Sequence, residues 1–209
     1  MNSRTFTLLI GGLMGLTRLG FGQGTVSYTG EGVVAKVNVL GVLNASLEDT
    51  GLLPGGGGSL STELLSLNVP ALLDLHLLSA STDGSSGEPE SAASVTQVTL
   101  TVAGINISAS VLTSNASANC APSVTGTSTI AGLKVNGLTV RVTGAPNQTI
   151  PLLIGSLVIN EQISSVVNTP GSTSADMLVN ALHLRVAGIA DVAISSSHAA
   201  VACNQNHLL

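Results

Sequence analysis

Apolar and polar residues alternate with a period of two along most of this chain. Val33, Ala35, Val37 and Val39 fall on one face, with Lys36 and Asn38 between them. Leu73, Leu75 and Leu77 alternate with Asp74 and His76. Val98, Leu100 and Val102 alternate with Thr99 and Thr101, and Ile105, Ile107, Ala109 and Val111 with Asn106, Ser108 and Ser110. This is the signature of β-strands with one buried and one wet face. The last quarter adds a strand-like run from Val179 to Val186. After it comes a run of small residues, Asp191 to Cys203, that closes on a cysteine.

Turn chemistry separates the strands. Gly55 to Gly58, Asp83 to Pro89 and Thr169 to Ser172 read as loops, and Asn136-Gly137 between Leu133–Val135 and Leu138–Val142 predicts a tight hairpin. About ten to twelve strands result, and such short connections require antiparallel pairing. Leu60 to Leu67 fits a short helix or a strand. No repeat or interdomain linker is visible. The expected fold is all-β, one antiparallel β-sandwich or jelly-roll-like domain spanning residues 23–209.

Composition narrows the function classes. Of 209 residues 44% are hydrophobic, yet there is no Trp, and the aromatics are Phe6, Phe21 and Tyr28 alone. The core must therefore be built from Val, Leu, Ile and Ala. Sugar and single-stranded nucleic-acid sites usually need aromatic platforms, which this body lacks. Six basic residues against eleven acidic ones give a net charge of -5, which repels nucleic acid. Only 8% of residues are charged, far below the usual quarter, so the surface must be Ser, Thr, Asn and Gly.

The N-terminus reads as an export signal. Met1 to Arg4 is a short positive region, Thr5 to Leu16 is apolar, and Gly20-Phe21-Gly22 offers small residues before a cut. A signal peptide over residues 1–22 would leave a mature chain starting near Gln23. The stretch is too short and interrupted for a membrane span, and no later segment is a stable one either. In an exported chain the two cysteines, Cys120 and Cys203, are expected to form one disulfide, two unpaired buried thiols being the alternative. The pairing requires Cα atoms within about 7 Å.

Four runs carry a resemblance: Thr129 to Gly137, Pro146 to Ile150, Leu157 to Gln162 and Val179 to Val186. With Leu77 to Thr82, Ser94-Val95 and the closing Asp191 to Cys203, in this order, the chain resembles the bacterial surface proteins called choice-of-anchor P over roughly residues 25–203. The resemblance implies export and attachment to the cell through a C-terminal signal. It supplies no catalytic or binding residue. The six residues after Cys203 hold no sorting motif, apolar tail or basic end, so free secretion or assembly with copies of the chain is expected instead.

Candidate chemistry is sparse. His183 and Arg185 share the outward phase of their strand, where polar residues belong. His76 and Asp74 could pair, but no Gly-x-Ser-x-Gly elbow accompanies them. Glu161 lies mid-strand in phase with Leu157 and Ile159, which makes it an edge residue, a bulge residue or a buried acid. Asp83, Glu88 and Glu90 form an acidic loop without the ladder of a calcium site. Four Asn-x-Ser/Thr triplets, at Asn44, Asn106, Asn115 and Asn147, are expected by chance in this composition.

No catalytic, cofactor-binding or metal residue is assigned, and no cofactor is expected. The expected function is an exported, non-enzymatic surface or extracellular structural protein. Its partners would be copies of itself or other cell-surface components, with Gly24 to Leu40 as a strand lent to a neighbour. A strict monomer with that strand ordered in its own sheet would count against the exchange. An extracellular adhesin or binding module is the alternative.

Overall fold

A computed structural model describes residues 24–204. Thirteen strands form two antiparallel sheets, and no helix occurs among the described residues. They are β1 Thr25–Val39, β2 Leu43–Asp49, β3 Gly58–Val69, β4 Leu73–Ser85, β5 Glu88–Val102, β6 Ile105–Asn119 and β7 Ser123–Ala131. Then follow β8 Lys134–Val135, β9 Leu138–Thr139, β10 Gln148–Leu152, β11 Gly155–Thr169, β12 Ser172–Val186 and β13 Ala190–Asn204. The segment Leu60 to Leu67 is strand, within β3. The proposed signal, residues 1–22, lies outside the described residues.

The first sheet has the order β10-β11-β12-β13-β1-β2, and the second β3-β4-β5-β6-β8-β9, with β7 also on the outer edge of β6. Each is built mostly from neighbours in sequence, as short turns demand. Asn136 and Gly137, both at positive φ, form the expected tight turn between β8 and β9. The exception to local pairing is β1, which lies between β13 and β2, running from Thr25 opposite Asn204 to Val39 opposite Ala190. The beginning and end of the described chain are thus zipped together. This placement counts against lending β1 unless a neighbour's β1 refills the slot.

The sandwich has two unlike halves. In one, Leu73, Leu75, Leu100, Ile107, Leu157, Leu182, Leu184 and Ile194 fill an aliphatic core between the sheets. In the other the sheets meet through small side chains. Gly30, Gly32, Ala93, Ser114, Ala116, Ser195, Ser197 and Ala199 are buried there, and Ser195 Oγ donates to Ala93 O across the gap at 2.9 Å. A Cβ on Gly32 would stand 2.7 Å from Ala92 O and 2.9 Å from Ser81 O. Those are backbone atoms of the facing sheet, so Gly32→Ala must push the sheets apart. It is expected to cost about 1–3 kcal/mol, read as a fall in Tm of several degrees; an unchanged Tm would show that the sheets do not meet so closely.

Between the halves, side-chain phase inverts. In β1 the core-facing positions run Tyr28, Gly30, Gly32, Val34, then Ala35, Val37, Val39. In β13 they run Ala190, Val192, Ile194, then Ser195, Ser197, Ala199, Val201. The strands β4, β5, β6, β11 and β12 do the same. At this level Glu48, Leu77, Gln97, Asn160 and Ser195 hold positive φ. One such residue turns β4, β5, β11 or β13 over, so that the next side chain faces the other way; β1, β6 and β12 invert beside them without one.

The inversion explains where simple alternation misplaces residues. Val98, Leu100, Val102, Ile105 and Ile107 are buried, and Thr99, Thr101 and Asn106 are exposed. Val111, expected on the same buried face, is only half-buried, and Leu112 takes its place. Leu77 is 59% exposed where Leu73 and Leu75 are buried, and Leu78 enters the core instead.

Candidate functional site

The inversion also builds the one place among the described residues where buried titratable side chains meet. Leu157 and Ile159 of β11 face the core. Asn160, at φ 52°, turns the strand over, so Glu161 faces outward despite sharing their parity. Asn160 suits that conformation because its short amide can be held locally. Here its Nδ2 donates to Gly144 O at 3.1 Å, and its Oδ1 accepts from Gln162 Nε2 at 2.9 Å.

On the outer face of the first sheet Glu161 meets three residues of β12. Asn180 is its direct cross-strand partner and donates from Nδ2 to Oε2 at 2.7 Å. His183 Nδ1 lies 2.5 Å from the same oxygen. Arg185 Nη2 donates to Oε1 at 2.6 Å. His183 Nε2 lies 2.7 Å from Asp191 Oδ1 on β13. The side chains of Glu161 and His183 are 7% and 10% exposed, whereas those of Arg185 and Asp191 are 47% and 60% exposed. A buried pair therefore sits under an exposed rim, stitched across β11, β12 and β13.

Both ring nitrogens of His183 face carboxylate oxygens, and only the imidazolium, with two N–H donors, satisfies both. Burial alone would lower the pKa of His183. Hydrogen bonds to Glu161 and Asp191, with their charges, override it and raise the pKa above 6.5. Burial alone would raise that of Glu161. The hydrogen bonds from His183 and Asn180 and the charges of His183 and Arg185 override it and bring the carboxyl down to about 2. Both groups are charged in the same pH range, and every charged atom in the pair has a partner.

The sequence placed His183 and Arg185 on the outward phase, and they are there. It did not foresee that His183 would be buried on that face. Asp74 and His76 approach only to 3.6 Å with both side chains well exposed, so they make no more than a loose surface pair. Asp83 and Glu90 are cross-strand neighbours, with Glu88 opposite Ser85. No cluster of three or more metal-ligating side chains forms among the described residues. Asp83 and Glu90 instead line a cleft of about 320 Å³ on the second sheet with Ser59, Ser81, Asn115 and Thr127. Cys120 and Cys203 are joined in a disulfide, with Cα atoms 5.8 Å apart. No described helix is long and apolar enough to cross a membrane.

The chain matches no protein family, no curated protein and no solved structure.

Proposed function

We propose that this chain is an exported, non-enzymatic structural protein of the cell surface or extracellular space. The observation that carries the reading is the closure of the Glu161–His183 cluster. A general base or nucleophile needs an atom free to reach substrate. Here the carboxylate oxygens and ring nitrogens bind one another and tie three strands together, which is a holding arrangement. The disulfide supports an oxidising compartment. The resemblance to choice-of-anchor P proteins points the same way.

The test is fractionation of the source cells, with detection on non-reducing gels and N-terminal sequencing. The oxidised chain, beginning near Gln23, is expected in the medium or surface wash. A cytoplasmic protein with free thiols would overturn the reading, and intact Met1 in a membrane pellet would replace secretion with a retained anchor. One observation favours the adhesin as second reading: the cleft that gathers hydroxyls, an amide and two carboxylates. Its polar lining suits a small polar ligand. Loss of adhesion to partner surfaces in Asp83→Asn/Glu90→Gln protein would move the assignment there.

A further inference from the structure

The first sheet ends in an edge that is only half covered. β10 pairs with β11 from Gly155 to Ile159 and no further. One residue then closes the next rung. Asn147 N donates to Asn160 O at 2.8 Å; its Oδ1 accepts from Gln162 N at 2.9 Å, and its Nδ2 donates to Gln162 O at 3.3 Å. The amide of Asn147 thus stands in for a strand. Beyond it, from Ile163 to Thr169, no described strand pairs with the outer edge of β11.

The direction of the open groups follows from the same bonds. Asn160 turns its carbonyl, and Gln162 both its backbone polar groups, toward the edge. The register of β11 with β12 is unbroken from Glu161 opposite Asn180 to Thr169 opposite Ser172. Strand alternation therefore points the N–H and C=O of Ser164, Val166 and Asn168 outward. All seven residues from Ile163 to Thr169 are exposed, including three large apolar ones: Ile163 at 52%, Val166 at 47% and Val167 at 48%.

Proteins commonly blunt such an edge with charge, proline or a bulge. The run Ile163-Ser164-Ser165-Val166-Val167-Asn168-Thr169 has no charge, Pro or Gly. The other long edges differ. β2 carries Glu48 and Asp49, and β3 carries Glu63. β7 exposes no large apolar side chain.

We propose that this edge pairs with the same edge of a second copy, antiparallel about a two-fold axis at Val166, so that one continuous sheet runs through both subunits. This deepens the structural reading above and rests on it. The occupant is a second copy because the run is complementary to itself. With Val166 opposite its own counterpart, Ser164 faces Asn168, and all three open residues are matched, giving about six backbone hydrogen bonds. Ser165 then faces Val167 on one side of the sheet, and the two Val166 side chains meet on the other. No like charges are opposed anywhere along it. A two-fold contact of this kind closes on itself and gives a dimer. It also leaves β1 in its own sheet.

Light scattering and sedimentation of the mature, oxidised protein test this. Twice the chain mass is expected for the native sequence. Val167→Lys should yield monomer, or a dissociation constant raised at least tenfold, with unchanged circular dichroism. Leu65→Lys, on the β3 edge, should leave the dimer intact. Val166→Cys should give a covalent dimer on mild oxidation through its own counterpart, and Ile163→Cys should not. A dimer or larger assembly that survives Val167→Lys and fails to crosslink through Val166→Cys would overturn this edge while leaving the structural reading standing. A native protein that stays monomeric at its highest soluble concentration would overturn the edge as well. The structural reading itself stands or falls on the fractionation.

Discussion

Replacing Cys120 and Cys203 together by alanine should lower the unfolding free energy by about 4–5 kcal/mol. The bond closes a sequence separation of 83 residues, and opening it releases that loop in the unfolded chain. Its position makes the loss matter. Cys203 belongs to β13 of one sheet, and Cys120 follows β6 of the other. This end of the sandwich is the one filled with Gly, Ser and Ala. The buried apolar residues near the bond are few: Tyr28, Leu53, Ala118, Ala175 and Val201, with Leu60 and Val124 partly buried against them. Three hydrogen bonds brace it. Cys120 N donates to Gly87 O at 3.2 Å, Gly87 N to the Tyr28 hydroxyl at 2.8 Å, and Thr173 Oγ1 to Cys120 O at 3.1 Å. Because typical domains hold only about 5–15 kcal/mol, the double variant should sit near the edge of folding at 37 °C. Denaturant titration of both proteins measures the difference. A loss below about 1 kcal/mol would mean that the small-residue half holds itself together without the bond.

His183→Leu should cost about 3–5 kcal/mol, because it strands a buried carboxylate with one of its two cationic partners gone. Changing Glu161 and His183 to leucine together should restore much of that loss, since no buried charge then remains. The pair also sets a pH window. Glu161 is held near 2 against an ordinary 4.5. Its contribution is present above 4.5 and disappears as pH falls from there toward 2. His183 is raised above 6.5, so its contribution is complete below 6.5 and disappears as pH rises through its folded value. Stability should peak between roughly pH 4.5 and 6.5 and decline on both sides. In Glu161→Gln protein both slopes should flatten, because His183 loses its main partner too. A native profile that is flat from pH 3 to 8 would show that the cluster does not bear on folding.

Much of the architecture is legible in the amino-acid sequence. Period-2 alternation is a local property, and it gives the right strands within each half of the sandwich. Asn136-Gly137 gives its turn because both residues accept positive φ readily. With two cysteines in the chain, one disulfide had one possible partner choice. The polar phase of β12 put His183 and Arg185 on the outer face. Adjacent apolar pairs such as Leu77-Leu78 and Val111-Leu112 lie where the alternation changes parity, a signal that simple alternation passes over.

The rest was decided between strands rather than within them. Left-handed backbone at Glu48, Leu77, Gln97 and Ser195 runs against local preference, by roughly 1–2 kcal/mol per residue. Such residues hold that conformation because the pairing and burial on both sides fix it, which no single strand encodes. The same inversion turns Glu161 away from Leu157 and Ile159 and brings it under His183, so its partners are set by cross-strand register. The pairing of β1 with β13 joins residues at opposite ends of the chain, where local pattern carries no information. The sequence by itself therefore determines the class of fold, the strands and the staple. Only the tertiary structure decides which way each strand faces past its midpoint, which charges are buried together, and which edge is left open.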